Sequence, residues 1–217
     1  MHDEFPELTF DFTAKIEHLL KHRALLSELG ELGCLFIVSA VESLSDTVLA
    51  NLEKGHTRAD VYAALEIVRD AGIALRPTWV PFTPWATLDD YIDILEFVQA
   101  ERLIYHVDPV QYTIRLLVPP GSALLQRPAI QPCLGPLDQA SFTYHWTHAD
   151  SRMNDLQRAV SAVVAQATRF DEDPATTFQR VCELAYAVRA DEAPASASPV
   201  LLDHRKKAPR LTEPWFC

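Results

Sequence analysis

A carboxylate and an ammonium group, Glu42 and Lys54, are the side chains best placed to do chemistry. Glu42 ends an almost entirely apolar run at 34–41, where a charge is costly unless it is paired or faces a cavity. It could accept hydrogen bonds from ribose hydroxyls or an amine, or it could cap the helix that begins after Ser43. Lys54 could swing back to meet an anionic group, or it could be an exposed lysine at a helix C-terminus, which the helix dipole favours.

Further polar side chains lie at the ends of the other predicted strands. In parallel α/β proteins these carboxyl ends form the functional site, and helix N-termini beside them point their amides at ligands. The candidates, strand by strand, are Lys15 and Glu17, then Ser39 and Glu42, then Arg76 and Thr78, and finally Gln111, Thr113 and Arg115. The last three share one face of a strand by its period of two, so that face lines a polar interior or the strand lies at an edge.

Three successive strand–helix–strand steps are expected to position these residues. The evidence is alternation in the first strand, leucines at helical spacing after it, and branched apolar residues in the second strand. Steps of this length predict a parallel sheet with right-handed crossovers. The predicted strands lie at 8–16, 34–41, 73–80 and 107–117, and the predicted helices at 16–32, 47–53, 59–71 and 88–101, with caps at Ser45 or Asp46, at Thr57 or Asp60, and at Thr87.

The sequence changes character after Gly121. Residues 122–150 contain several prolines and an aromatic cluster around Trp146, and are expected to be loop with short helices. Helices at 151–168 and 176–189 could cover the mouth of a barrel, or they could be a packed appendage, which we favour. The expected divisions are 1–121, a partial barrel; 122–190, loop plus helices; and 191–217, a flexible tail with a solvated basic patch at 204–207.

Composition limits the function. The chain has 217 residues, 48% of them hydrophobic, and a formal net charge of −11, which argues against nucleic-acid binding because such proteins usually present a basic face. No apolar run approaches the roughly 20 residues of a membrane span, and no basic-then-apolar leader begins the chain, so we expect a cytoplasmic protein with no membrane partner. The four cysteines are isolated from one another, and Cys34 is expected to be a buried hydrophobe rather than a ligand.

Ordered strings along nearly the whole chain resemble one family. A strand followed by Val-Glu-Ser, then Leu-Glu-Lys-Gly-His-Thr, then Arg-Asp-Ala-Gly-Ile before a Pro-Thr strand resembles the later half of a radical S-adenosylmethionine (SAM) barrel. More narrowly, the sequence resembles the bacterial radical SAM proteins with a CUAEP or CCAEP tail. The strings that carry this resemblance are LTFDFTAKIEHLL, GCLFIVSAVES, LEKGHTRAD, LRPTWVPFTPWATLDDY, PVQYTIRLLVPPGS and LTEPWFC.

The resemblance implies an α/β fold, the C-terminal part (about four strands) of a partial (β/α)6 TIM-type barrel, followed by a small helical region. In such enzymes a 4Fe–4S cluster reductively cleaves SAM to a 5′-deoxyadenosyl radical, with electrons from a reductant such as flavodoxin or ferredoxin, and the radical acts on a small-molecule or peptide substrate that the sequence does not identify. By position, Glu42 would meet the cofactor ribose, Lys54 its methionine carboxylate, and Thr78 the ribose or adenine. Ser39, Gln111 and Arg115, chosen above for their positions at the strand ends, complete the predicted cofactor-binding set.

The sequence also departs from the family. It contains no C-x-x-x-C-x-x-C, so this chain cannot ligate the cluster by that pattern and is expected to be inactive alone, with no cofactor confidently bound. The strands that should precede Leu8 are missing, which suggests a fragment whose Met1 is an internal start. The family's tail continues beyond Trp-Phe-Cys, so a UGA selenocysteine codon after Cys217 would make that residue half of a redox pair. A TAA or TAG there, with no Ala-Glu-Pro frame beyond it, would contradict this hypothesis.

Two other functions remain open. One is a non-catalytic, truncated barrel that binds a partner without an iron–sulfur cluster, which the missing cysteines and the open sheet edges of four strands favour. The other is an ordinary metabolic TIM-barrel enzyme, which is disfavoured because no phosphate-cradling glycine loop follows the last predicted strand.

Overall fold

Three parallel strands joined by helices form the first part of the fold in the computed structural model, which describes residues 4–189. The strand order is β1-β2-β3, and both pairings are parallel. The predicted order of strands and helices is confirmed up to α5, although the helix expected at 16–32 is divided at His22. The elements are β1 (Phe10–Thr13), α1 (Ile16–Lys21), α2 (Arg23–Glu31), β2 (Cys34–Glu42), α3 (Asp46–Asn51), α4 (Arg58–Asp70), β3 (Ala74–Trp79) and α5 (Leu88–Ala100).

The two faces of this sheet are buried to different extents. Ile37 and Val41 of β2 and Leu75 of β3 belong to the main hydrophobic core with the helices. Val38 and Ala40, which point to the opposite face of β2, are only partly buried. Because side chains alternate across a strand, one face of the sheet is packed against helices and the other is partly open.

Both long helices of this part begin with the same capping arrangement. The Thr57 hydroxyl accepts from the Asp60 amide while the Asp60 carboxylate accepts from the Thr57 amide, and Thr87 and Asp90 do the same at α5. Each capping box satisfies two amide groups that the helix start leaves without partners. The first box fixes where α4 begins, and therefore where the loop that carries Lys54 must end.

The predicted fourth strand at 107–117 is wrong over most of its length. A 3-10 helix at Pro109–Thr113 occupies the first half of this segment and follows another at Ile104–His106. The parallel pairing of the segment is reduced to one bridge between Phe82 and Arg115. Gln111, Thr113 and Arg115 therefore do not share a strand face.

Pro77 explains why no full strand pairs with the edge of β3 that faces away from β2. Side chains close that edge instead: the His106 ring Nδ1 lies 2.9 Å from the Leu75 carbonyl oxygen, and the Gln111 Oε1 accepts from the Trp79 amide at 2.9 Å. Pro77 lies between these two positions and, by the period of two, faces the same edge, where it has no N–H to donate to a ladder.

A β-hairpin lies in the region expected to be loop with short helices. Short 3-10 helices are present at Ala123–Gln126 and Gln131–Cys133, as expected, but β4 (Leu134–Asp138) and β5 (Thr143–Trp146) pair antiparallel. Trp146 joins Val118 and Ile130 in a small second core. The aromatic cluster is therefore partly structural.

Two long helices complete the described chain, α6 (Ser151–Arg169) and α7 (Pro174–Arg189). Leu156, Val160 and Phe178 belong to the same core cluster as the sheet, which agrees with the packed appendage that we favoured. Among the described residues, no helix is long and apolar enough to cross a membrane. The predicted tail, with the basic patch 204–207 and Cys217, lies outside the described residues.

Candidate functional site

Glu42 and Lys54 form an ion pair at the carboxyl end of β2. The Lys54 Nζ lies 3.0 Å from the Glu42 Oε1, and the side chains of Lys54 and Glu42 are only 20% and 18% exposed respectively. The loop after α3 folds back onto the strand end, so the two residues that the sequence singled out lie together. Each of these largely buried charges is neutralised by the other, which a charge in this position requires.

The backbone at Glu42 is unusual. Glu42 has φ = 67°, in the left-handed region that residues with a Cβ adopt uncommonly, and the register of the β2–β3 pairing shifts between Ala40 and Glu42. Its carbonyl oxygen still accepts from the Val80 amide at 2.9 Å. The cap of α3 is Ser45, not Glu42, so the helix-cap interpretation of Glu42 is wrong.

The loop that carries Lys54 is held on both sides. The His56 Nε2 lies 3.2 Å from the Val41 carbonyl oxygen, inside the protein. Gly55 has φ = 74°, and a Cβ there would lie only 3.0 Å from the Glu17 Oε2. A side chain at this position would therefore meet both an unfavourable backbone conformation and the carboxylate that follows β1. These contacts hold Lys54 in place beside Glu42.

The region after Gly121 also contacts this loop. Arg127 forms an ion pair with Glu53, the neighbour of Lys54, and the Trp85 ring N–H donates to the Ala129 carbonyl oxygen at 3.2 Å. The second half of the chain is thereby attached to the end of the sheet where the Glu42–Lys54 pair lies.

Ser39 and Thr78 lie on different faces of the sheet. Ser39 is fully buried and alternates with the core residues Ile37 and Val41, and its hydroxyl has no hydrogen-bond partner within the described residues. Thr78 pairs with Ala40 on the partly open face, and its hydroxyl lies 3.5 Å from the Ser39 carbonyl oxygen. Thr78 therefore lies on the partly open side of the sheet, and Ser39 lies on the core side.

Gln111 and Arg115 are engaged in other contacts. Gln111 accepts from the Trp79 amide, as described above. The Arg115 guanidinium stacks on the Trp146 ring, with its central carbon 3.5 Å from the ring centre, and donates to the Trp146 carbonyl oxygen and, at 3.3 Å, to the Asn154 Oδ1. The structure thus brings together Glu42 and Lys54 and uses Gln111 and Arg115 elsewhere.

Sequence reasoning missed the partner of Arg76. Arg76 of β3 is nearly buried and forms an ion pair with Asp108 at 2.9 Å, while its guanidinium lies 5.6 Å from the centre of the Phe36 ring. The one available signal was an acidic residue, Asp108, within the predicted fourth strand. Because that segment is not a strand, its side chains could not be assigned to a face of the sheet.

The residues present do not fit an iron–sulfur cluster. Within residues 4–189, no three His, Cys, Asp or Glu side chains are close enough together to hold a metal ion. Cys34, Cys133 and Cys182 are free, and burial raises the pKa of the Cys182 thiol to about 12, which disfavours the thiolate that ligation requires.

Comparison with known proteins gives the fold. No protein-family model matches the sequence, and no curated protein matches it significantly. Among solved structures, the cobalamin-dependent S-adenosylmethionine radical enzyme OxsB with aqua-cobalamin bound is similar at a TM-score of 0.64 and 14% identity, over 84% of this chain and 34% of that one. OxsB with both aqua-cobalamin and SAM bound gives 0.62 and 16%, over 74% and 29%. The apo, selenomethionine-labelled enzyme gives 0.61 and 17%, over the same shares.

These similarities show a mixed α/β fold like part of a radical SAM enzyme. The chain spans about a third of the length of the enzyme that it matches. At these identities the comparison establishes architecture and leaves the roles of individual residues to be argued from the site.

Proposed function

We propose that this chain forms the later part of a radical SAM barrel and that Glu42 and Lys54 belong to its SAM-binding wall. The observation that carries the proposal is their largely buried ion pair of 3.0 Å at the carboxyl end of β2. The sequence strings that resemble radical SAM proteins and the fold shared with OxsB support the same assignment.

The pair matches the polar groups of SAM. Lys54 would donate to the methionine carboxylate, and the Glu42 carboxylate would accept from ribose hydroxyls, because charge-assisted hydrogen bonds of these kinds are the strong ones. Exchanging one internal ion pair for two ligand contacts leaves neither side chain without a partner. Thr78, on the partly open face, would lie beside the nucleoside.

Bound SAM would supply a 5′-deoxyadenosyl radical once it is reductively cleaved. The residues of this chain would bind and orient the nucleoside and help to exclude water. Because the described residues offer no set of cluster ligands, no step is assigned to a cluster held by this chain. Anaerobic reconstitution of residues 1–217 with iron and sulfide should therefore give no charge-transfer absorbance in the visible region.

Calorimetric titration of the full chain with two nucleosides tests the proposal. SAM carries both the ribose and the methionine carboxylate, whereas 5′-methylthioadenosine carries only the ribose. We expect Lys54→Met to weaken SAM binding by about 10- to 100-fold, the loss in affinity expected when one charged hydrogen bond is removed. It should change the binding of methylthioadenosine little. Glu42→Gln should weaken both.

The matched control is Glu101→Gln, which removes an ion pair of equal length, 3.0 Å to Arg69, on the helix surface. It should leave both affinities unchanged. No binding of SAM by the folded wild-type chain, or an equal loss of both nucleosides in Lys54→Met, would contradict the proposal.

A partner-binding protein without catalytic activity is the second candidate. It is favoured by the position of β1, which is an edge of the sheet within the described residues, since an edge strand offers unpaired backbone groups to another chain. The same titration distinguishes the two candidates, because a protein of this kind would bind neither nucleoside.

A further inference from the structure

Arg115 is placed by three separate elements. Its backbone bridges to Phe82 just beyond β3, and its side chain crosses to the end of β5 and the first turn of α6. There the guanidinium lies over the Trp146 ring, with its central carbon 3.5 Å from the ring centre, and donates to the Trp146 carbonyl oxygen and the Asn154 side-chain oxygen. These contacts fix the plane of the guanidinium.

The charge of Arg115 is not neutralised by the described part of the chain. Its partners there are a carbonyl, an amide and an aromatic ring, and no carboxylate of residues 4–189 lies within ion-pair distance. The group is half-buried, and burial lowers its pKa. Charges removed from water are normally paired, so this cation has the environment of a group that receives its counter-ion from outside.

Arg115 is one of the residues that line an open cavity of about 470 Å³. That volume falls in the range of sites for small molecules. A guanidinium has five N–H donors, so the bonds to Trp146 and Asn154 leave donors for a ligand in the cavity. The rest of the lining includes Thr147, Ser151, Asn154, Gln157 and Arg158, whose side chains contribute both hydrogen-bonding groups and apolar surface.

The lining carries a positive charge overall. Asp155 also lines the cavity, but it forms an ion pair with Arg158 across one turn of α6. Arg115 is then the charged residue of the lining without an ion-pair partner among the described residues, in a protein whose formal net charge is −11. A local excess of this sign attracts anions.

We propose that this cavity is a binding site for a small organic anion, which presents a carboxylate or a phosphate group to Arg115. The planar guanidinium can bind either group through two parallel N–H donors. The Trp146 ring and the Asn154 side-chain amide hold the guanidinium in a fixed orientation. The site uses neither Glu42 nor Lys54, so it goes beyond the proposed SAM-binding function and does not depend on it.

The test uses inorganic phosphate and acetate as probes of the full chain. Each is titrated by calorimetry at constant ionic strength, with chloride as the replaced anion. We expect saturable one-site binding of at least one probe, and the probe that binds more tightly identifies the anionic group. Arg115→Gln should weaken that binding by about 10-fold or more, as expected for loss of a charged hydrogen bond.

Two further variants keep the test decisive if Arg115→Gln does not fold. Arg158→Gln removes an exposed cation from the rim and should weaken binding by a few fold. Arg169→Gln, at the far end of the same helix, should leave it unchanged. Failure of both probes to bind wild type saturably, or equal weakening by these two variants, would overturn the proposal. Glu42→Gln should bind the probes normally, which separates this site from the SAM site.

Discussion

The carboxyl end of β2 and the segment 104–118 after α5 hold their polar residues in opposite ways. At β2, ladder hydrogen bonds and a capping box fix the backbone, and the Glu42–Lys54 pair neutralises itself. In 104–118 side chains replace a strand, and the cation Arg115 is held by neutral groups. In our two proposals, the first arrangement would bind a ligand by exchanging the partners of an ion pair, whereas the second would bind an anion as the counter-ion of Arg115.

The difference predicts different costs when a side chain is removed. Removing one member of a buried ion pair strands a charge of the protein itself. Removing a side chain that caps a backbone edge leaves only a neutral group without its partner. The first loss is larger, because an uncompensated buried charge costs more than an unsatisfied amide.

Lys54→Met should have the largest effect. Breaking a fully buried ion pair costs about 3–5 kcal/mol, and the partial exposure of both side chains reduces our expectation to about 2 kcal/mol in the free energy of unfolding. Urea denaturation measures it. The double variant Glu42→Gln/Lys54→Met should recover part of the loss. Additive effects of the two single variants would mean that the pair is not coupled, and the contrast between the regions would fail.

Gln111→Leu should have an intermediate effect. It leaves the buried Trp79 amide without an acceptor and should lower the free energy of unfolding by about 1–2 kcal/mol. Gln179→Leu is the matched control, since Gln179 is exposed and bonds only to Glu183 one turn along the same helix. A loss no larger than that of the control would show that Gln111 does not hold the edge of β3.

His106→Asn should have the smallest effect on the free energy of unfolding. The effect should be visible only as a change in how stability depends on pH. Burial, aided by nearby Arg76 and Arg69, lowers the pKa of His106 below its ordinary value of 6.5. The unfolded chain therefore binds the proton more readily, and wild type should lose stability as the pH falls below about 6.5. The Asn variant keeps a donor for the Leu75 carbonyl oxygen and has no group to titrate.

Urea midpoints between pH 5 and 8 measure this slope. The wild-type protein should lose stability more steeply toward acid than His106→Asn. His106→Gln places its amide at the position of the other ring nitrogen, so it should be less stable at every pH. Parallel pH profiles for wild type and the Asn variant would rule out a role for His106 in the acid sensitivity.

Regular elements were predictable because their signals are local. The apolar run of β2, the Thr-x-x-Asp caps of α4 and α5, and the glycine after α2 each specify a backbone state from neighbouring residues. The fourth strand was predicted from the same kind of pattern and proved wrong, since Pro77, some thirty residues earlier, denies it a ladder partner. The β4–β5 hairpin was missed because no two-residue glycine turn marks it.

The candidate site was predictable to a similar extent. Glu42 was conspicuous as a charge at the end of an apolar run, and the short return loop made Lys54 its natural partner. Gln111 and Arg115 were assigned to the cofactor because they were assumed to share a strand face. Their actual partners, Trp79 and Trp146, lie far away in sequence, and no local pattern could have indicated them.

The left-handed backbone of Glu42 has an evolutionary consequence. A residue with a Cβ is less stable than glycine in this conformation by about 1 kcal/mol. The backbone conformation alone would therefore favour glycine at the end of β2, but glycine would also leave Lys54 without its ion-pair partner, at a larger cost. Position 42 is therefore one where the backbone and the ion pair favour different residues.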